Sequence, residues 1–432
     1  MSNELLESFR EAYRNLELLP LLDQRELEKF RVDYGREVLE DLEQLVEDSP
    51  SGTGKIIFTG HRGCGKSTLL AEFSRKLRDD YFVVFFSISD LIEMSDINHI
   101  NILFAIAVRL MEEAQKQQVE IKQSTKDAFY RWFAKHTRIE TEEVRAETSA
   151  GFKLFELIAG RLKADAAIRN EIKLEFMRKV SDLIAQINII ASVVQTASKK
   201  EIIVIIDDLD KLDLKVVREV FQEQIKALFQ PNFQIIFTIP ISAFREVSLA
   251  ATIQVETNDQ IVQMPVSKLF KQGEYRQANG TPQPEAMATL QAVLDKRIPQ
   301  QLLEAKTAEQ IIIQSGGVLR ELIRITNQCC RICLKLVRRE PERRDIIINQ
   351  AVLDEAITKF SIDFDTRIGN ADYDILETTY QNFQPDDPKE QRFLDLLHGL
   401  YILEYRNARL WYDVHPIVTE LLMNRISQKL NN

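Results

Sequence analysis

Cysteine is scarce in this chain. The 432 residues contain four, Cys64, Cys329, Cys330 and Cys333, and the last three fall within one helical stretch. None has the paired spacing of a zinc site, and four are too few for a disulfide framework, so the thiols read as reduced. Glycine and proline, 14 and 12 residues, are too sparse for a collagen-like or low-complexity chain. Positive charge is also short, with 56 Lys and Arg against 66 Asp and Glu and a net charge of -10. A surface that coats itself with nucleic acid is therefore disfavoured, although a local basic patch is compatible with the total. Long apolar runs are missing too. Leu183 to Ala197 is interrupted by Gln186, Asn188 and Gln195 and is shorter than the ~20 residues of a bilayer span. No membrane helix is expected. Met1 to Arg10 lacks the basic head and apolar body of a secretory signal, which makes the cytoplasm the expected location.

What is there is an ordinary globular balance, 45% hydrophobic and 28% charged, in a chain long enough for two or three domains. Residues 1–50 carry helical spacing, for example Val38, Leu39, Leu42, Leu45 and Val46. Ser49 to Gly54 breaks it. Lys55 to Thr59 reads as a buried strand, followed by a glycine-containing loop and a helix through Leu77. Tyr81 to Ile88 reads as a second strand covered on both faces. From about 100 to 199 glycine nearly disappears and the period is helical, with a break placed near His136 to Gly151. Strand patterns return at Glu201 to Ile206, Phe233 to Ile239 and Ile261 to Val266, with an amphipathic helix at Val216 to Phe229. Alternation of this kind predicts a parallel sheet. Gln272 to Pro284 looks like a linker, 285–360 like a small helical bundle, and 372–430 like a mixed segment ending in a helix. There is no internal repeat.

Gly60-His61-Arg62-Gly63-Cys64-Gly65-Lys66-Ser67 fits G-x-x-x-x-G-K-[ST] in full, between a predicted strand and a predicted helix. Glycines let successive N–H groups turn toward phosphate, and the helix start adds partial positive charge. In this pattern Lys66 reaches the β- and γ-phosphates and Ser67 ligates Mg2+, with Thr68 supporting the turn. ATP and Mg2+ are the implied cofactors. His61 and Cys64 fill permissive positions and receive no role of their own. The second element is Ile202 to Ile206 followed by Asp207-Asp208-Leu209-Asp210, an apolar strand delivering acids where open α/β sheets bind ligands. It matches a Walker B strand. Asp207 would hold Mg2+ and Asp208 would orient or deprotonate the attacking water. Asp210 has an alternative reading as an acid favoured by the dipole of the next helix.

Together these motifs resemble an AAA+-related ATPase of the STAND or Orc/Cdc6-like kind, with a KAP-like flavour in Asp207 to Lys211. The resemblance covers roughly residues 30–430. It departs from the usual pattern at Asp208, where many relatives carry Glu, and in the long helical insertion. It implies an α/β fold with a P-loop parallel sheet, a large helical insertion, a helical lid and a C-terminal winged-helix-like domain. The implied domains are N-terminal helices at 1–50, an ATPase core at 51–271 with its insertion at about 100–199, the lid at 285–360 and the winged-helix-like domain at 372–432. It also adds Thr238 at a strand end as a sensor of γ-phosphate or lytic water, and Arg320 of Gly316 to Leu322 as a lid arginine. Each has a plain alternative: Thr238 as a structural hydroxyl, Arg320 paired to Glu321 or Glu309. Arg218 and Arg245 could face a neighbour's nucleotide or only solvent.

Tyr401 to Pro416 reads as two strands around a polar turn, with a helix following from Pro416. His415 there reads as a cap or packing residue. The resemblance thus implies an ATP-driven regulatory switch coupled to a protein partner or to self-assembly, in a signalling or defence context. Two alternatives stay open, a DNA-linked initiator or loader and an ATP-binding scaffold with negligible turnover. The acidic charge disfavours DNA, and no membrane partner is expected.

Overall fold

The computed structural model describes residues 2–49, 52–138, 153–277, 279–406 and 409–431. Its contacts divide the chain into two compact units: Met1–Arg36 with Gly60–Leu69 and Met264–Asn432, and Glu37–Thr59 with Leu70–Gln263.

The second unit is built on a five-stranded parallel sheet. Its strands are β1 (Lys55–Gly60), β2 (Tyr81–Ser87), β3 (Glu201–Asp207), β4 (Gln234–Pro240) and β5 (Ile261–Met264), in the order β2-β3-β4-β1-β5. The central strands are continuous apolar runs because helices cover both faces. Ile56, Phe58, Ile203, Ile205, Ile236 and Phe237 are fully enclosed, each stabilising the fold by about 1.5–3 kcal/mol on burial. The register sets Ser87 beside Asp207 and Ile206 beside Phe237. Strand ends bearing hydroxyls and acids are thereby brought level.

Between β2 and β3 lie the inserted helices His99–Lys116, Gln123–Thr137, Lys153–Ala164, Ala166–Phe176 and Val180–Ser198. Asn98 caps the first, its side chain accepting the Asn101 N–H at 3.0 Å. Phe104, Trp132, Phe133 and Phe155 make a chain of ring contacts at 4.9–5.8 Å. The break expected near His136 to Gly151 runs into residues 139–152, outside the described residues. Val180–Ser198 is longer than the interrupted run seen in the sequence, and by length and composition alone it could cross a membrane. It packs on His99–Lys116 through a face that includes Leu183, Ile187, Ile190 and Val194. The single helix expected at Val216 to Phe229 is instead Leu214–Arg218, a π-turn at Glu219–Glu223 and Ile225–Leu228. A one-residue widening leaves hydrophobic spacing almost unchanged, so periodicity cannot reveal it.

In the first unit, helices Pro284–Asp295, Ala305–Gln314, Leu319–Arg339 and Gln350–Asp365 follow in succession. Helix Ser2–Asn15 packs along Leu319–Arg339, where Asn327 Nδ2 donates to the Leu16 carbonyl at 3.0 Å. Helices Asn370–Asn382 and Gln391–His398 then lead to β6 (Ile402–Arg406) and β7 (Leu410–Val414), an antiparallel pair followed by helix Pro416–Asn431. Two strands and a helix from Pro416 agree with the sequence reading; turn residues 407–408 lie outside the described residues. Val266, Val318, Leu403, Tyr405 and Trp411 form a core beneath the hairpin.

Candidate functional site

The loop after β1 owes its path to glycine. Gly63 and Gly65 have φ of 83° and 102°, a region that side chains avoid. A Cβ at Gly63 would lie 2.5 Å from that of Arg320, and one at Gly65 would lie 2.3 Å from the Tyr34 hydroxyl. Lys66 opens helix Lys66–Lys76 and is buried. Its ammonium donates to the carbonyls of Gly60 at 3.0 Å and His61 at 2.8 Å. Thr68 Oγ1 accepts the Leu21 N–H at 3.1 Å, a bond to the N-terminal segment. Burial pushes the Tyr34 hydroxyl up to about 12, so it stays a neutral donor beside the loop.

Two backbone contacts join this loop to later elements of its own unit. The Arg320 N–H, at the start of Leu319–Arg339, donates to the Gly63 carbonyl at 3.0 Å. The Glu404 N–H, on β6, donates to His61 Nε2 at 2.8 Å. His61 is 1% exposed. The reading of His61 as merely permissive is therefore corrected: its ring connects the loop to the hairpin. Nothing local in the sequence signals a partner 343 residues away. Arg320 is half-buried, while Glu321 pairs with Arg324 through a 3.0 Å bond from Nε.

In the second unit, β3 ends at Asp207, and Asp208 follows with a left-handed φ of 70°. Carboxylate oxygens of Asp207, Asp208 and Asp210 all lie within 4.8 Å of one another. Hard oxygen donors of this kind suit Mg2+. Asp208, however, is already engaged. Its Oδ1 receives Lys211 Nζ at 2.6 Å, and its Oδ2 receives the hydroxyls of Ser87 at 2.6 Å and Ser89 at 3.0 Å. Burial raises this carboxyl, but the Lys211 and serine hydrogen bonds outweigh it and hold the group below the ordinary carboxylate range. These bonds fix the orientation of the Asp208 carboxylate within the cluster. Thr238 is fully enclosed, donating to the Ile206 carbonyl at 3.2 Å and accepting the Leu209 N–H at 3.1 Å. Both bonds brace the acid-bearing turn. Arg218 pairs with Glu246 at 2.6 Å.

The strand, glycine loop, helix and acid-ended strand coincide with a family match: the model described as AAA ATPase domain covers residues 34–231. Residues 34–231 resemble an AAA ATPase domain. The matched segment includes the loop Gly60 to Ser67 and Asp207, Asp208 and Asp210, whereas Thr238, Arg320 and Glu404 lie beyond it. No curated protein matches the chain. Among solved structures it is similar to the Aeropyrum pernix ORC2 protein in ADPNP–ADP complexes, at 11% identity, a TM-score of 0.43 and coverage of 98% of this chain and 99% of that one. It is also similar to Cdc6p from Pyrobaculum aerophilum, at 10% identity, a TM-score of 0.38 and coverage of 93% and 96%. A third similarity is to the Aeropyrum pernix ORC1 protein in complex with DNA, at 10% identity, a TM-score of 0.39 and coverage of 95% and 97%.

Proposed function

We propose that this chain is an ATP-driven switch, in which Mg2+-ATP occupies Gly60 to Ser67 and its hydrolysis changes how the lid and hairpin are held. Lys66 would neutralise β- and γ-phosphate charge, and Ser67 and Asp207 would hold Mg2+. When bound, Mg2+ supplies charge neutralisation between phosphate oxygens. Asp208 orients the attacking water, and Thr238 positions the turn that carries it. Arg320 responds to the γ-phosphate, because a guanidinium can follow charge at the transferred group.

The observation that carries this reading is the pair of backbone hydrogen bonds from Arg320 to Gly63 and from Glu404 to His61. Backbone donors have little slack, so a loop that reshapes around phosphate must carry both elements with it or release them. The altered surface would then be read by a protein partner or a second copy of the chain. Hydrogen exchange tests this directly. Saturating ATP, but not ADP, is expected to change protection of the Arg320 and Glu404 amides, and an unchanged pattern with ATP demonstrably bound would remove the switch.

A further inference from the structure

At the first residue of β1, the opposite end from the glycine loop, lies a cavity of about 350 Å³ lined by Ser49, Thr53, Lys55, Asn232, Thr257 and Gln260. Lys55 is 7% exposed. Its ammonium donates to the carbonyls of Thr53 and, at 2.9 Å, Phe233. An ammonium carries three N–H donors, and no carboxylate pairs with this one among the described residues. Glu256 also reaches the cavity, but its charge faces Lys226 Nζ at 3.8 Å. Beside Lys55, Ser49 Oγ is buried with no hydrogen-bond partner among the described residues, and it lies 3.0 Å from where a Cβ on Gly54 would sit. Asn232 and Gln260 add side-chain amides to the wall.

We infer that this cavity is a binding site for a small oxyanion, a phosphate or carboxylate group, held by the third N–H of Lys55 and the hydroxyl of Ser49. A buried cation whose partners are only carbonyl dipoles is poorly compensated. Burial alone pushes the Lys55 amine down to about 8, the direction expected when the counter-charge is missing. An oxyanion supplies that charge and accepts the unused donors, and the cavity is large enough for it. The inference does not depend on the glycine loop.

Competitive acetylation with acetic anhydride, read at the Lys55 peptide by mass spectrometry between pH 7 and 9, provides the test. Inorganic phosphate or acetate, each against sodium chloride of equal ionic strength, is expected to slow acetylation of Lys55 about tenfold, equivalent to about one unit of pKa. Protection by phosphate alone assigns a phosphate group, and protection by acetate alone or by both assigns a carboxylate-tolerant site. No protection by either overturns the inference. Because phosphate can also reach the glycine loop, the measurement is repeated in Lys66→Ala, where protection must persist; its loss there would assign the effect to the loop and overturn the site. Lys55→Met should abolish any anion-dependent rise in Tm that survives in Lys66→Ala, and an equal rise in both proteins also overturns it.

Discussion

At the residue scale, burial and partner chemistry separate groups that look equivalent in the sequence. Lys66 is buried with carbonyl partners, as a lysine that exchanges them for phosphate oxygens would be. Lys66→Ala should lose about tenfold or more in ATP affinity, measured by calorimetry, with the circular dichroism spectrum unchanged; equal affinities would remove the phosphate assignment. Asp208 raises a sharper question, since it is held by Lys211, Ser87 and Ser89. Asp208→Asn should cut turnover about 100-fold or more, because an amide cannot accept the proton of water. Lys211→Met removes a group that lowers the Asp208 pKa, so the acid limb of the pH–rate profile should move to higher pH. A limb that stays in place would mean that another group titrates.

At the element scale, short glycine-bearing turns and helix starts decide the geometry. Gly63 combines a positive φ with Arg320 across the space that a Cβ would enter. Gly63→Ala should therefore destabilise by about 1–3 kcal/mol and expose the Arg320 amide to exchange. Gly160 is the control, a mid-helix glycine with nothing within 4 Å of its Cβ position, where alanine should stabilise by about 0.5–1 kcal/mol. At the start of Pro416–Asn431, His415 Nδ1 accepts the Ile417 N–H at 3.3 Å, which fits the expected cap. Burial, reinforced by the Arg324 charge, pushes this imidazole down to about 3. The unfolded chain then binds a proton that the folded one refuses, so stability is full above the ordinary value of about 6.5 and falls as pH drops toward 3, by up to about 1.4 kcal/mol per unit. The depressed Asp208 carboxyl adds a slope of the same sign at lower pH. His415→Asn keeps a capping acceptor without the titration. Urea melts between pH 7 and 4 should show a flatter dependence in the variant, and identical slopes would exclude His415.

These elements also show what the sequence could disclose. The five strands were legible because apolar runs bounded by glycine, proline and acids have few other uses, and the glycine loop because phosphate chemistry restricts its residues so tightly. The His61–Glu404 bond was not legible, since its donor is a backbone N–H that any residue type would supply. Tyr34 at Gly65 and Arg320 at Gly63 were hidden for a related reason: the glycines advertise backbone freedom but not which side chain fills the space. The π-turn at Glu219–Glu223 escaped because the apolar spacing on either side of it is preserved.

At the scale of the whole molecule, charge bears on the kind of partner. The net charge is -10, and residues 372–398 contain Asp372, Asp374, Glu377, Asp386, Asp387, Glu390 and Asp395 against Lys389 and Arg392. Arg392 and two cations that follow this region are already paired: Arg392 with Asp372 at 3.6 Å, Lys429 with Glu377 at 3.3 Å, and Arg406 with Glu404 at 3.5 Å. Duplex affinity depends on lysines and arginines that release counterions from phosphate, and here these three would first have to leave a carboxylate. Arg406 and Arg409 flank the hairpin turn and are the best candidates for a groove contact. If both engaged phosphate, the slope of log affinity against log salt would be only about −1.8, too shallow for tight binding. Fluorescence anisotropy with duplex DNA at several salt concentrations, ATP present, should therefore show affinity weaker than micromolar at physiological salt. Micromolar or tighter binding at physiological salt, lost in Arg406→Ala/Arg409→Ala, would show that the hairpin turn overcomes the surrounding acids and would make DNA the partner of the switch.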